Sequence, residues 1–392
     1  MSATPSPGAT ERGGFLVPRA RPALVHDRLR PQLLAAVEPI LFGGLAAAEA
    51  AVAEFEAAFR RWAERDYVYG VQSGTAGLLL ALRACGVGPG DEVVTVANTD
   101  ISTLSAIGHS GAIPVLCDVR ADDYTMDVER AADLITARTR VILPVDLYGH
   151  PADAKALRVI ADRHGVRLVQ DAALAVGARD HDRPVGAFAD VVVYSFAPYK
   201  PLGTAGNGGA VATDDPQIAR RLRILRGYGA SNEVAARAPG QQAHVDEGYH
   251  LSIDALQAAV LTVKLPHLEE WTRSRRVVAQ AYAARIRHPA VSHPVFRLSS
   301  KPTFRQYTVC VPNRDAVYRR LRDSGVEVVL HYVPPLHRQP VYAGRGLPGS
   351  DRLPITERLG DALLCLPVFP EATDVEIAHV VSSMHEALHA AH

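Results

Sequence analysis

The chemistry of this chain concentrates around Lys200, in the stretch Tyr194-Ser195-Phe196-Ala197-Pro198-Tyr199-Lys200-Pro201-Leu202-Gly203-Thr204-Ala205-Gly206-Asn207-Gly208-Gly209. Lysine is scarce: Lys155, Lys200, Lys264 and Lys301 stand against 38 arginines. An arginine stays protonated, whereas a desolvated lysine can release its proton and attack a carbonyl carbon. A single lysine is ordinarily a solvated surface charge. Between an apolar run and a glycine-rich loop it has a second reading, as an imine-forming nucleophile.

Three further features bear on that reading. Ser73-Gly74-Thr75-Ala76 joins an expected strand to an expected helix with small residues. Free amides and the helix dipole make such a corner an anion site, although a Ser or Thr there also serves as a plain N-cap. Asp171 follows the apolar run Val166–Val169, at the strand end where open α/β sheets bind ligands. An acid there either caps a helix or faces solvent; if buried, it holds a positive charge such as a protonated pyridine nitrogen. Ser195 closes another apolar run, and five residues later the chain can bring Lys200 over the same pocket. A phosphate cup, an acid for a pyridinium and an imine-forming lysine are together what pyridoxal phosphate requires.

The elements that must position these groups are legible as an alternation of short apolar runs and helical patterns. Strands are expected at 67–71, 92–96, 114–117, 141–145, 166–169 and 191–195. Helices are expected at 78–85, 102–110, 127–137 and 151–164. Runs without strict polar alternation, separated by helices, predict a mostly parallel sheet covered on both faces. Residues 31–65 read as helical, divided at Gly43-Gly44. A long helix is expected from about 252 to 283, divided at Pro266. Beyond it, strands at 307–311 and 327–330 and helices at 315–323 and 372–389 predict a smaller α+β unit. The expected organisation is an N-terminal tail or arm (1–30), a large domain (31–250), a connecting helix (251–285) and a small C-terminal domain (286–392).

Composition narrows the function classes. A formal net charge of +0 gives no electrostatic signature for nucleic acid or an anionic membrane. No run of 18 or more apolar residues occurs, so no transmembrane helix is expected. Met1–Gly14 lacks the apolar stretch of a signal peptide and reads as a disordered tail. Cys85, Cys117, Cys310 and Cys365 are widely spaced among apolar residues, which predicts four buried thiols in a reducing cytoplasm. No H-E-x-x-H or paired-cysteine spacing is present, so no metal site is expected and His331 and His337 read as loop residues.

In its motifs the chain resembles the DegT/DnrJ/EryC1/StrS family of sugar aminotransferases, of fold type I. The resemblance rests on Ser73-Gly74-Thr75-Ala76, Gly88-Pro89-Gly90-Asp91-Glu92-Val93, Ala97-Asn98-Thr99 and Leu147-Tyr148-Gly149-His150-Pro151-Ala152-Asp153. It continues through Asp171-Ala172-Ala173, Ser195 to Gly209, Asp254 to Val260, Lys264-Leu265 and His331-Tyr332-Val333-Pro334-Pro335-Leu336-His337, spanning roughly residues 35 to 385. It implies that pyridoxal 5′-phosphate is bound covalently to Lys200, with Asp171 on the pyridine nitrogen and Gly74, Thr75 and Ser195 on the phosphate. His331 and Tyr332 lie on a loop able to reach the substrate, with a purely structural role as the other reading. A homodimer with shared active sites is also implied, the 203–209 loop and the 246–252 segment being the lent elements.

Several positions depart from that family's pattern. Asp100 stands where an aromatic ring usually stacks on the cofactor, and Leu174 where a glutamine is usual. Gln170 replaces a common glutamate, Pro201 a common asparagine and Ser252 a frequent arginine. His250 takes the place of an asparagine that reaches the neighbour's phosphate, and as a donor it could serve the same end. The leading expectation is transamination from glutamate or glutamine to a keto sugar, nucleotide-linked, in deoxyaminosugar or secondary-metabolite biosynthesis; a keto cyclitol is an alternative acceptor. A dehydratase or other lyase is a second reading, opposed by retention of Lys200, since the family's dehydratases usually carry histidine there. A cofactor-binding regulatory protein with lost catalysis is a third.

Overall fold

A computed structural model describes residues 14–231 and 243–390. The expected disordered tail lies outside the described residues except for Gly14. Seven strands form the central sheet: β1 (Tyr67–Val71), β2 (Glu92–Val96), β3 (Ile113–Cys117), β4 (Thr139–Leu143), β5 (Arg167–Asp171), β6 (Val191–Ser195) and β7 (Gly209–Thr213). Their order across the sheet is β1-β7-β6-β5-β4-β2-β3. Strands β3, β2, β4, β5 and β6 run parallel, and β7 runs antiparallel to both β1 and β6. The mostly parallel sheet is therefore as expected, with β7 added. Its sequence, Gly-Ala-Val-Ala-Thr, is too poor in large apolar side chains to announce a buried strand, yet all five residues are buried.

Helices cover both faces of the sheet. Their starts are fixed by short acceptors: Ser73 takes Ala76 N, Asp127 takes Glu129 N and Arg130 N, Asp153 takes Ala156 N, and Asp215 takes Gln217 N and Ile218 N. The cap at Asp153 explains why the helix expected from 151 begins at Ala154. The helix expected over 127–137 covers only Val128–Asp133. One apolar cluster contains Leu78, Val94, Ile142 and Val193, and a second contains Phe55, Phe59, Tyr194 and Phe196.

The N-terminal helix runs over Arg30–Ala63 with non-helical backbone at Gly44 (φ 69°, ψ −160°), where the Gly-Gly pair predicts a division. By length and composition alone this helix is apolar enough to cross a bilayer, contrary to the sequence expectation. Leu34, Leu41, Phe42 and Leu45 lie exposed along it. The helix expected over 252–283 divides as Ala255–Lys264 and Leu268–Arg285 around a 3₁₀ turn holding Pro266.

The C-terminal unit has its own core, including Val309, Val317, Leu364 and Met384. Tyr307–Cys310 is a strand as expected, but its partner is Leu363–Leu366, not 327–330. Residues 327–330 form no strand because their backbone is engaged elsewhere: Glu327 N donates to Val17 O, and only Val329 bridges to Cys365. Val17 is buried in this core, so the segment preceding Arg30 is packed in its described part. All four cysteines are free; Cys117 and Cys365 are buried as expected, while Cys85 and Cys310 are half-buried.

Candidate active site

The C-terminal ends of β1, β5 and β6 converge on a cavity of about 150 Å³ lined by Ser73, Gly74, Thr75, Thr99, Asp100, Asp171, Leu174, Ser195, Tyr199, Lys200 and Tyr332, with others. A second cavity of about 190 Å³ shares Asp100, Leu174, Tyr199, Lys200 and Tyr332, and adds Arg19, Arg305, Gln306 and His331. Residues far apart in sequence thus meet where open α/β sheets bind ligands.

On the first side, Ser73 caps the helix Gly74–Ala84: its Oγ accepts from Ala76 N at 3.1 Å and its carbonyl from Gly77 N at 2.9 Å. The amides of Gly74 and Thr75, at the very start of the helix, have no intrahelical acceptor and carry the positive end of its dipole. A Cβ at Gly74 would lie 2.9 Å from Ser195 Cβ, so the missing side chain lets the serine close the cup.

Asp171 is 4% exposed. Thr103 Oγ1 donates to its Oδ2 at 3.0 Å and Ala173 N to its Oδ1 at 3.1 Å. Burial pushes this carboxyl above its ordinary range, against the pull of the Ala173 amide, the Lys200 charge and Thr103. Behind it, Asp146 is fully buried and pushed up to about 8 by burial. Gln170 Nε2 donates to both Asp146 oxygens, at 3.0 and 2.9 Å. A glutamate at 170 would set another negative charge against Asp146; the amide turns that contact into two hydrogen bonds.

Lys200 sits at the junction of the two cavities. Burial lowers its amine to about 8, the Arg305 charge adds to the drop, and Asp171 and Asp100 oppose it. The loop carrying it is tied at several points. Phe196 N donates to Gly208 O and Thr204 N to Phe196 O, each at 2.8 Å, and Ser195 pairs with Gly209 across the sheet. Lys264 Nζ donates to Gly203 O, and Gln257 Oε1 accepts from Gly206 N at 2.8 Å.

Asp100 occupies the mouth between the cavities. Its Oδ1 accepts from Ser102 N at 2.9 Å and from the Ser102 hydroxyl, so it caps the helix Ile101–His109. Although burial works in the opposite direction, Ser102, the Tyr332 hydroxyl and the Lys200 charge bring Asp100 below the usual carboxylate range. Leu174 is buried in the apolar core and borders both cavities. His331 stacks on Tyr332, centroids 4.7 Å apart, and its Nδ1 meets the Gln306 side-chain amide at 2.8 Å. Burial, followed by Arg305 and Arg19, lowers the His331 imidazole to about 4. His250 is not among the residues lining either cavity; it is exposed and stacked on Tyr228 at 4.7 Å.

Sequence reasoning missed Thr103, Arg19, Arg305, Gln306 and the part played by Tyr199. The Tyr199 ring has Lys200 Nζ 5.5 Å, Arg305 Cζ 5.6 Å and Arg19 Cζ 5.9 Å from its centroid. The available signal for Arg305 was a charge set among Thr303, Phe304 and Tyr307 at the start of an expected strand. Its placement depends on the Leu147–Gly149 turn. Gly149 has φ +88°, its carbonyl accepts from Thr303 N at 3.0 Å, and a Cβ there would lie 2.9 Å from Arg305 N.

This geometry has close relatives. The DegT/DnrJ/EryC1/StrS aminotransferase family matches residues 28–385. The chain belongs to that family. Relatives include the "Erythromycin biosynthesis sensory transduction protein EryC1" of Saccharopolyspora erythraea, 41% identical over 84% of this chain and 88% of the relative. The "dTDP-3-amino-3,4,6-trideoxy-alpha-D-glucose transaminase" of Streptomyces venezuelae is 38% identical over 92% of this chain and 93% of its own length. The crystal structure of S. venezuelae DesV "in complex with ketimine intermediate" superposes with a TM-score of 0.88 at 37% identity, covering 95% of this chain and 98% of that one. The fold is therefore that of the family, and the chain is an aminotransferase dependent on the family's cofactor, pyridoxal 5′-phosphate. The residues present fit that group. A buried acid raised by desolvation suits a protonated ring nitrogen, and the Gly74–Ser195 cup with its free amides suits a phosphate.

Proposed function

We propose that this enzyme transfers an amino group from glutamate or glutamine to a keto sugar, nucleotide-linked, in a deoxyaminosugar or secondary-metabolite pathway. One observation carries the reading: Lys200, Asp171 and the Ser73–Thr75 corner line one cavity, and Lys200 also lines a second of about 190 Å³. The sugar named in the Streptomyces venezuelae transaminase supports the sugar acceptor.

The cofactor, when bound, supplies the electron sink for the reaction. Asp171, held by Thr103 and Ala173 N, keeps a proton on the ring nitrogen. Gly74, Thr75 and Ser195 hold the phosphate. The Lys200 amine, lowered to about 8, is placed to carry a proton to and from the substrate carbon that bears nitrogen. Asp100 and Tyr332 border the passage between the cavities and meet the substrate there, and His331 presents a neutral ring. Leu174 excludes water beside Lys200.

We further read the active protein as a homodimer with shared sites. The exposed Leu34, Leu41, Phe42 and Leu45 offer an apolar face, and Leu34 lies beside Ala205 in a surface groove, next to the expected lent loop. His250, exposed and away from its own cavities, then serves the neighbour's phosphate. Free thiols support a cytoplasmic location. We divide the chain into a 1–30 arm, a 31–250 large domain, a 251–285 connection and a 286–392 small domain, the last supported by a core of its own that includes Val309, Val317 and Met384.

The test is the donor half-reaction followed by absorbance across a panel of amino acids, then mass detection of aminated products from candidate keto sugars. A spectral shift with glutamate or glutamine is expected. A bound cofactor that ignores every amino donor would overturn amino transfer in favour of a regulatory role. Elimination of water from the sugar without amine incorporation would favour the lyase.

A further inference from the structure

Among the described residues four arginines are buried: Arg65, Arg275, Arg305 and Arg314. Three are engaged by the protein. Arg65 donates to the Gly186 and Ala189 carbonyls and pairs with Asp214. Arg275 donates to the Val368 carbonyl, and Arg314 donates to the Leu363 and Gly360 carbonyls and to Asp315. Arg305 differs. At 2% exposure it is the most buried of the four; the Nε of Arg65 and Arg275 also lacks a hydrogen bond, but those two are held through their terminal nitrogens, whereas among the described residues no hydrogen bond or ion pair reaches any nitrogen of the Arg305 guanidinium. Its Cζ lies 5.6 Å from the centroid of the Tyr199 ring. A buried cation without a counter-charge is strongly disfavoured, so a site that keeps one is built for an anion.

We infer that Arg305 anchors a carboxylate of the substrate, across Tyr199 from the Lys200 amine; this rests on the reading of Lys200 as the amino-transfer centre. The guanidinium borders the same cavity as Lys200 and Tyr332, and its planar fork matches a carboxylate in two parallel hydrogen bonds. The surroundings limit the charge to one. Gln306 is neutral, and His331 is kept neutral by its burial. Of the other basic groups in the cavity, Arg19 is paired with Glu327 at 3.4 Å, and Lys200 has the Asp171 and Asp100 charges beside it. A diphosphate would bring more negative charge than Arg305 can balance; a single carboxylate matches it. The carboxylate comes from the amino-acid donor or from an acid group on the acceptor, and the two are separable by experiment.

The test uses the full-length, cofactor-loaded enzyme with Arg305→Met and Arg305→Lys. Glutarate, and glutaramide as its uncharged counterpart, are titrated by calorimetry. Glutarate is expected to bind the unsubstituted enzyme at least roughly 30-fold more tightly than glutaramide, the scale set by one desolvated charge pair. Arg305→Met abolishes that difference, and Arg305→Lys, which keeps the charge but not the fork, retains part of it. In the donor half-reaction the apparent Kd for glutamate rises by a similar factor in the Met variant, while the limiting rate changes less. A rise confined to the KM of a carboxylated acceptor assigns the carboxylate to the acceptor and upholds the site. Equal binding of glutarate and glutaramide to the unsubstituted enzyme overturns the inference. So does an Arg305→Met protein that melts several degrees lower without ligand, since removal of an unpaired buried charge should leave Tm unchanged or raise it. Failure of every amino donor would instead refute amino transfer, and the glutarate titration would still report on Arg305.

Discussion

The two halves of the active-site cavity are built differently. On the cofactor side, Asp171 and Ser195 end strands, Ser73–Thr75 opens a helix, and the buried carboxylates have donors from their own domain. On the substrate side, Arg19, Arg305, His331 and Tyr332 come from loops and segments outside the central sheet, and one buried cation has no hydrogen-bond or ion-pair partner among the described residues. The first half is anchored on the central sheet, with its buried acid held by donors of the protein itself. The second stores an uncompensated charge, and that charge selects the ligand. A fold can thus keep one chemistry constant while a few loop residues decide what it acts upon.

Substitutions in the first half should act on the cofactor irrespective of substrate. The largest expected effect is Lys200→Ala, which on the proposed assignment removes covalent attachment and the proton carrier and lowers turnover by roughly 10⁴-fold; stopped-flow rates and the loss of the lysine-bound cofactor's absorbance check it. Asp171→Asn is expected to reduce the donor half-reaction by about 10²–10³-fold, while the melting temperature holds or rises because a strained acid is relieved. An equal loss of stability would show that Asp171 is scaffolding.

Two glycines offer a matched pair. Gly74→Ala forces a Cβ to 2.9 Å from Ser195 Cβ and should weaken cofactor retention about tenfold, within the usual 1–3 kcal/mol of overpacking, with donor affinity nearly unchanged. Gly149→Ala, at φ +88° beside Arg305 N, should do the reverse, raising the donor Kd about tenfold with cofactor retention intact. Dialysis rates and donor titrations separate the two; parallel effects would erase the distinction between the halves.

Two pH experiments give smaller signals. Cofactor loading onto Lys200 should accelerate with pH about a midpoint near 8. Because the native amine is lowered from 10.5 to about 8, the unfolded chain binds more protons within that window. Lys200 therefore adds stability to the cofactor-free protein as pH rises through it, and Lys200→Met should flatten that rise in thermal melts. His331, lowered to about 4, stays neutral from pH 5 to 8, so His331→Asn should leave the shape of the rate profile in that range unchanged.

The same contrast governs what could be read from sequence. Lys200, Asp171, Ser195 and the Ser73–Thr75 corner are tied to apolar runs whose ends fix their positions, so sequence spacing carried three-dimensional information. Arg305 offered only an odd charge at the start of an expected strand, because its meeting with Lys200 depends on the Gly149 turn and on how the C-terminal unit packs. The strand Gly209–Thr213 was hidden by its small side chains, and 327–330 misled because Glu327 pairs with Val17 and only Val329 bridges to a strand, at Cys365. Asp100, an anomaly by type, is explained locally as a helix cap.

The pairing of Ser195 with Gly209 closes the lysine loop at its base. The thirteen residues between them cannot drift without unzipping two buried strands. Most of the entropy of confining the reactive amine is therefore lost once, when the sheet forms, and not again at each turnover. The amine is presented at a high effective concentration to any carbonyl entering the cavity. Substitutions that loosen the ties at Gly203 or Gly206 should lower that concentration while leaving the melting temperature, set by the sheet, nearly where it was.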